Sequence, residues 1–172
     1  MEKSEELDQL NREIHSISCS GKAYATWLSM QCVQECREAC GGHGYLKASR
    51  LGDLRSDIDP TVTYEGDNNV LLQQTANYLL SNFKSGGSYE RFISPLKTIN
   101  FVSKAKYLLT MNRSRIWEQT CDEIVLNAYR FLCCYLLEKL IHDSNKNVAA
   151  NQVFVHKSLS LAFFEHNSLL HL

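Results

Sequence analysis

Apolar side chains recur at helical spacing through most of this 172-residue sequence, and few helix breakers interrupt them. Residues 5–16 place Leu7, Leu10 and Ile14 three and four positions apart, which is typical of a surface helix that packs one narrow stripe. A second helix is predicted over residues 20–40, where Ser20 caps the start and Gly41-Gly42 ends it. With only 2 prolines in the chain, this pattern predicts an all-α fold.

Three further helices are predicted over residues 67–84, 115–142 and 148–169, with SGGS at 85–88 as a break. We expect a long ordered loop over residues 41–64, an extended connector over 94–102 and exposed apolar surface around Leu159–Phe164. The apolar pattern predicts that the following side chains are buried: Trp27, Leu28, Cys32, Val33, Cys36, Cys40, Leu71, Leu72, Leu79, Phe131 and Leu132.

The charge balance excludes several classes of partner. The chain carries 18 Lys+Arg against 19 Asp+Glu, for a formal net charge of −1, which gives no electrostatic basis for binding nucleic acid or an anionic membrane. No apolar run approaches the roughly 20 residues that span a bilayer. The charged start MEKSEELDQLNREI is not a signal peptide, because it lacks an apolar core.

The seven cysteines are not spaced as metal ligands. Cys32, Cys36 and Cys40 fall on one face of a helix, and no Cys-x-x-Cys pair occurs. This arrangement favours small buried residues in a reducing compartment over a zinc or iron–sulfur site, so we expect no metal.

Two loop segments contain the candidate functional residues. ACGGHGY (39–45) is either an ordinary helix stop or a place where glycine backbone approaches a bulky ligand. In TYEGDNN (63–69), Glu65 is either a solvated carboxylate or a base beside the unpaired N–H groups of a helix start. Asp67 is well placed to be the N-cap of that helix.

Together the segments CREACGGHGY (36–45) and RLGDLRSDIDPTVTYEGDNNVLLQQTANYLL (50–80) closely resemble the acyl-CoA oxidases, above all the branched-chain, pristanoyl-type members. These belong to the acyl-CoA dehydrogenase flavoprotein fold. The resemblance is strong over about residues 8–110. It implies a C-terminal helical bundle, in which residues 1–90 carry both motifs and residues 91–172 begin a second helical domain that is cut short. It also implies that an N-terminal helical domain and a β-barrel domain precede this region.

The resemblance implies a reaction as well. Glu65 would remove the pro-R α-proton of a fatty acyl-CoA while the β-hydride passes to FAD, which gives a trans-2-enoyl-CoA. Molecular oxygen would then be reduced to hydrogen peroxide. The base would need a desolvated setting, which we expect Tyr64 and the apolar helices to supply. The implied FAD contacts are Gly41, Gly42, Asp67 and Asn69, and the implied substrate contacts are Tyr64 and Gly66.

Partners and location follow from the same resemblance, which implies a peroxisomal homodimer active in fatty acid β-oxidation. The chain ends in LHL and not in Ser-Lys-Leu, so a cytoplasmic location is the alternative. The alternative function is a catalytically silent helical module that acts by dimerisation. For the 172 residues alone we expect no oxidase activity.

Overall fold

The computed structural model describes residues 2–85, 94–110, 121–144 and 162–163. Six α-helices are labelled in chain order, and three 3₁₀ helices connect them at Lys47–Ser49, Asp59–Val62 and Asn100–Lys104. No strand occurs in these residues, so the predicted all-α class is confirmed. The α-helices are α1 Glu2–Ala39, α2 Gly42–Tyr45, α3 Leu51–Ile58, α4 Asn68–Ser85, α5 Ala105–Thr110 and α6 Cys121–Ser144.

The first two predicted helices form one continuous helix, α1. Ser20 is not an N-cap, because it lies within the helix and its hydroxyl donates to the carbonyls of Ser16 (3.1 Å) and Ile17 (2.9 Å). The prediction of a break was wrong because burial against α4 outweighs the modest helix propensity of this serine-rich stretch. The helix ends as predicted, and Gly41 takes a positive φ of 56°.

The predicted loop over residues 41–64 is wrong. It consists mainly of short helices, α2 and α3 with 3₁₀ helices after each, which pack back along α1. Pro60 does not break this run, because it occupies the first turn of its 3₁₀ helix, where its missing N–H costs no bond.

The remaining segment predictions have mixed outcomes. The extended connector over 94–102 is also wrong, since a turn there leads into a 3₁₀ helix and α5. The predicted helix over 67–84 is confirmed as α4, and residues 121–142 of the fourth helix are confirmed within α6. Of the predicted helix at 148–169, the structure describes only 162–163, which are helical.

The contact between α1 and α4 buries small side chains of both helices. Ala23 of α1 and Ala76 of α4 are both fully buried. The Thr75 hydroxyl donates to the Ser16 carbonyl across the contact (3.1 Å), and His15 donates to Gln74 (2.9 Å). A shared apolar core then joins α4 to the segment 99–108, α6 and the pair 162–163. Its fully buried members are Ala76, Leu79, Ile99, Cys133, Cys134, Leu137 and Phe163.

Burial predictions succeeded on α4 and failed on one face of α1. Val33, Leu72 and Leu79 are buried as predicted, and Trp27, Leu71 and Phe131 are partly buried. The prediction was wrong for the exposed residues Leu28, Cys32, Cys36, Cys40 and Leu132. On α1 the physical reason is that another face, with Ser16, Cys19, Ser20 and Ala23, is the buried one. Leu132 shares an exposed face of α6 with Tyr135. Ala162 and Phe163 are buried, which contradicts the expected exposure around Leu159–Phe164; the rest of that segment lies outside the described residues.

A buried carboxylate joins α1 to the segment after α4. Glu13 is completely inaccessible to solvent, and its oxygens accept bonds from the Ser94 hydroxyl (2.6 Å) and the backbone N–H groups of Leu96 and Thr98 (3.1 Å each). The Thr98 hydroxyl donates to the same carboxylate. This network fixes the turn at 94–98 against α1. Separately, none of the described helices is both long and apolar enough to cross a membrane.

Candidate active site

Glu65 lies on a short turn with unusual backbone geometry. The N–H groups of Thr63 and Tyr64 both donate to the Pro60 carbonyl at 3.0 Å, and the chain then passes through two residues of positive φ, Glu65 (57°) and Gly66 (102°). Glycine is favoured at Gly66 because L side chains rarely adopt a φ of 102°, whatever the space beside Leu71. A glutamate in the left-handed region costs about 1–3 kcal/mol and persists only where its surroundings impose it.

Asp67 caps helix α4, as predicted. Its Oδ1 accepts bonds from the N–H groups of Asn69 (2.9 Å) and Val70 (3.3 Å), and its carbonyl accepts the Leu71 N–H at 2.9 Å. The cap satisfies two of the donors that a helix start leaves unpaired. The predicted cofactor contact of Asp67 remains a prediction.

A lysine on α1 holds the other side of the turn. Lys22 Nζ donates to the Gly66 carbonyl (2.7 Å) and to Asn68 Oδ1 (2.8 Å). Asn68 is 1% exposed and donates in turn to Thr26 Oγ1 (2.9 Å) and the Ala23 carbonyl (3.4 Å). The first residue of α4 is therefore fixed to the middle of α1.

The desolvated setting expected for Glu65 is not provided by this chain's described residues. Glu65 is exposed and Tyr64 is 52% exposed. The reason is that the helices pack on the Asn68 side of the turn, which leaves residues 63–66 at the surface. Within the described parts of the chain, the Glu65 N–H has no hydrogen-bond acceptor. One residue thus offers both an accessible carboxylate and a free backbone donor.

The predicted glycine pair is open but distant from Glu65. Gly41 and Gly42 are exposed, and a Cβ built on either would meet nothing within 4 Å. The pair follows Ala39, whereas the Glu65 turn is bonded to Lys22. Those two α1 residues are seventeen positions apart, or about 26 Å at a rise of about 1.5 Å per residue. The structure therefore does not bring the glycine pair and Glu65 into one pocket.

Two further features of the described residues bear on a nucleophile or a metal centre, namely the pair of Cys19 with His15 and the grouping of metal-ligating side chains. Cys19 Sγ lies 3.4 Å from His15 Nε2, but burial raises the pKa of the Cys19 thiol and so disfavours the thiolate. Among the residues that the structure describes, no three or more His, Cys, Asp or Glu side chains are grouped to hold a metal ion.

Sequence reasoning missed Lys22, Asn68 and Thr26. A lysine in a polar helix normally indicates a solvated face, and the asparagine pair at 68–69 indicates only a helix start. No local pattern shows that Lys22 and Asn68, 46 positions apart, meet in space.

Comparison with known proteins agrees with this architecture. Residues 1–80 match the family model described as the acyl-CoA oxidase C-alpha1 domain. Human peroxisomal acyl-coenzyme A oxidase 3 is 39% identical over 180 residues, which cover 95% of this chain and 25% of that protein. The Caenorhabditis elegans acyl-coenzyme A oxidase acox-3 is 38% identical over 178 residues, covering 98% of this chain and 26% of that one.

A solved structure supports the same assignment. Arabidopsis thaliana acyl-CoA oxidase 1 superimposes with a TM-score of 0.72 and 28% identity, covering 92% of this chain and 24% of that structure. The chain thus spans about a quarter of the length of the relatives it matches. From these similarities in sequence and fold, the chain belongs to the acyl-CoA oxidase family.

Proposed function

We propose that this chain contributes the catalytic base, Glu65, to an FAD-dependent acyl-CoA oxidase of peroxisomal fatty acid β-oxidation. The observation that carries this proposal is the Glu65 turn, where an exposed carboxylate and an unbonded N–H belong to one residue in a left-handed conformation. The substrate is a fatty acyl-CoA, and the products are a trans-2-enoyl-CoA and hydrogen peroxide. The resemblance of the two motifs to the branched-chain, pristanoyl-type oxidases favours a branched-chain acyl-CoA.

The reaction requires a base for the α-proton and a hydrogen-bond donor for the thioester oxygen, and Glu65 could supply both. The α-proton of a thioester is a weak acid, so its removal requires a positioned base and stabilisation of the negative charge that develops on the thioester oxygen. The Glu65 carboxylate accepts the proton, and its own N–H is free to donate to that oxygen. Gly66 allows the positive φ of the turn that carries the carboxylate, and Gly66 and Tyr64 would contact the acyl chain.

The residues present fit FAD at its periphery. Gly41 and Gly42 leave their backbone open to a bulky group, and exposed Asn69 offers a polar side chain. Asp67 fits less well as a contact for the pyrophosphate, since its oxygen is engaged in the cap and it carries a negative charge. When bound, FAD would supply the acceptor for the β-hydride.

The resemblance to the acyl-CoA oxidases implies a homodimer in which the glycine pair serves the FAD of the neighbouring subunit. The separation of about 26 Å along α1 between Ala39 and Lys22 is compatible with that arrangement. Residues 1–90 would then form the bundle segment that carries both motifs, and residues 91–172 would begin a second helical domain. A peroxisomal location accords with the names of the matched relatives.

A second function is favoured by one observation. Glu65 and Tyr64 are both exposed, so the described residues provide no wall around a substrate. A chain in this state would be a silent helical module that acts by dimerisation.

The two functions are distinguished by a chimera in which these 172 residues replace the matching quarter of human peroxisomal acyl-coenzyme A oxidase 3. Glu65→Gln keeps the shape of the side chain and removes the base. We expect peroxide formation from a fatty acyl-CoA to fall by at least ~10²-fold, while the flavin absorbance of the purified protein is retained. Glu123→Gln, an exposed glutamate on α6, is the matched control and should behave as the parent. Parental activity in the Glu65→Gln chimera would contradict the assignment of the base.

A further inference from the structure

We propose that Lys22 is a positioning residue for Glu65, and that together with Asn68 it holds the turn in the conformation from which the carboxylate acts. This inference rests on the proposed role of Glu65 as the base. Lys22 does not touch the reacting atoms in this account; it acts through the backbone that carries them.

The bonds of Lys22 define this role. Its Nζ contacts Gly66 O at 2.7 Å, and Gly66 is the residue directly after Glu65 and the second residue of positive φ. A second bond, of 2.8 Å to Asn68 Oδ1, joins the same ammonium to the first residue of α4. The ammonium therefore bridges the turn and the helix start, and a charged donor makes shorter and stronger bonds than a neutral one.

The bridge is itself held in place. The hydroxyl of Thr26 donates to the Lys22 carbonyl (2.9 Å) and accepts the Asn68 amide (2.9 Å), which closes a ring of bonds through three side chains. Asn68 is buried, so loss of a partner would leave a polar group without water. The ring therefore links Lys22, Thr26 and Asn68 directly to one another.

The cap alone does not explain the turn. Asp67 bonds only forward, to the N–H groups of Asn69, Val70 and Leu71. Nothing in that set contacts residue 65 or 66. Of the bonds found in the described residues, the one from Lys22 is the one that restrains the Gly66 carbonyl, and with it the peptide between Gly66 and Asp67, one residue after Glu65.

The first experiment uses the 172-residue chain and needs no cofactor. Lys22→Met removes both bonds and keeps the length of the side chain. We expect amide hydrogen exchange at Asn69, Val70 and Leu71 to accelerate at least tenfold, with Ala76 and Leu79 in the core of α4 unchanged. The HN–Hα coupling of Glu65 should shift towards the average of a flexible turn. Lys106→Met, an exposed lysine on α5, is the control and should leave all these amides unchanged.

Lys22→Arg tests rescue, because the guanidinium keeps two donors for the same two acceptors. It should retain exchange rates within about threefold of the parent. Unchanged exchange at Asn69–Leu71 in Lys22→Met would overturn the proposal, and so would equal acceleration throughout α4.

The second experiment separates positioning from mere folding. In the chimera, Lys22→Met should lower kcat at least tenfold with KM within about twofold, because it misplaces the base without removing substrate contacts. When Lys22→Met is combined with Glu65→Gln, kcat should fall by less than a further twofold, because the effect of Lys22 passes through Glu65. A full additional loss would overturn the role of Lys22. If Glu65→Gln keeps parental activity, the proposed base fails instead, whatever Lys22→Met does to amide exchange.

Discussion

At the scale of single residues, backbone geometry decides which glycines can be substituted. Gly44 is buried where α2 folds back on the end of α1, and a Cβ there would lie 2.1 Å from the Arg37 carbonyl oxygen. Gly52 in α3 has open space around its missing side chain. These two glycines should respond oppositely to the same substitution.

Gly44→Ala should destabilise the chain by about 2 kcal/mol or more, because the backbone of α1 must move to admit the methyl group. Gly52→Ala should be neutral or stabilising by up to about 1 kcal/mol, since alanine favours the helix. Urea unfolding followed by circular dichroism gives both values. Equal effects of the two substitutions would show that the packing of α2 on α1 is wrong.

Glu13 provides a second test at this scale. Glu13→Ala leaves the buried donors of Thr98 and the partly buried donors of Ser94 and Leu96 without their acceptor, so the free energy of unfolding should fall by about 2–4 kcal/mol. Glu6→Ala, at an exposed position of the same helix, should change it by less than about 0.5 kcal/mol. A small effect of Glu13→Ala would mean that the turn at 94–98 is not held by α1.

Residue roles were predictable only where the signal is local. The Asp67 cap follows from its place before a periodic apolar run, and the end of α1 follows from Gly41-Gly42. The partnership of Lys22 with Gly66, and that of Glu13 with Thr98, depend on positions far apart in the chain. No local pattern encodes such pairs.

At the scale of helices, the cysteines near the end of α1 and those of α6 differ in their exposure to solvent. Cys32, Cys36 and Cys40 lie on an exposed face of α1 or just after its end, whereas Cys133 and Cys134 are fully buried on α6. The apolar pattern could not separate these cases. It counts cysteine as a core residue in both helices, and the α1 face that packs on α4 is made of smaller side chains.

Thiol labelling tests this difference. Iodoacetamide at neutral pH should modify Cys32, Cys36 and Cys40 in the folded chain, while Cys19, Cys133 and Cys134 should react only after unfolding. Labelling with light reagent before denaturation and heavy reagent after it, read by mass spectrometry, assigns each site. Protection of the α1 thiols in a monomeric chain would contradict their exposure.

The buried thiols on α6 also predict a pH dependence. Burial is the main cause of a raised pKa for both, followed by the partner thiol for Cys133 and by Glu138 for Cys134, whose pKa rises to about 12. The folded state therefore holds these protons more tightly than the unfolded state. Their contribution to stability is complete below the ordinary thiol pKa and is lost as pH rises from 9 towards 12.

The free energy of unfolding should accordingly decline above pH 9. Cys134→Ser, whose hydroxyl does not titrate in this range, should decline less steeply. If the free energy of unfolding declined with pH at the same slope in the parent and in Cys134→Ser, the burial of this thiol would be contradicted.

At the scale of the whole molecule, the helical class and the family were evident from the sequence, but the surroundings of Glu65 were not. The two motifs lie in order and at fixed spacing, which is a property of the sequence. Desolvation of a carboxylate depends on everything packed around it, and the described residues leave Glu65 exposed.

This exposure predicts the behaviour of the chain by itself. The purified 172 residues should be colourless and should form no peroxide from a long-chain acyl-CoA, because open contacts at the edge of a cofactor do not offset the entropy of binding it. They should also self-associate through exposed apolar side chains, notably Leu7, Leu28, Tyr45 and Leu46. A yellow, peroxide-producing monomer would contradict the account.

Removal of the α-proton by Glu65 can be measured separately from oxidation. An acyl-CoA with sulfur in place of the β-carbon can be deprotonated at the α-carbon but cannot lose a hydride from the β-position. In D₂O the parental chimera should exchange one α-proton of this compound for deuterium, as seen by mass spectrometry. Glu65→Gln should slow the exchange by at least ~10²-fold, and Glu123→Gln should leave it unchanged. Exchange at the parental rate in Glu65→Gln would show that another group is the base.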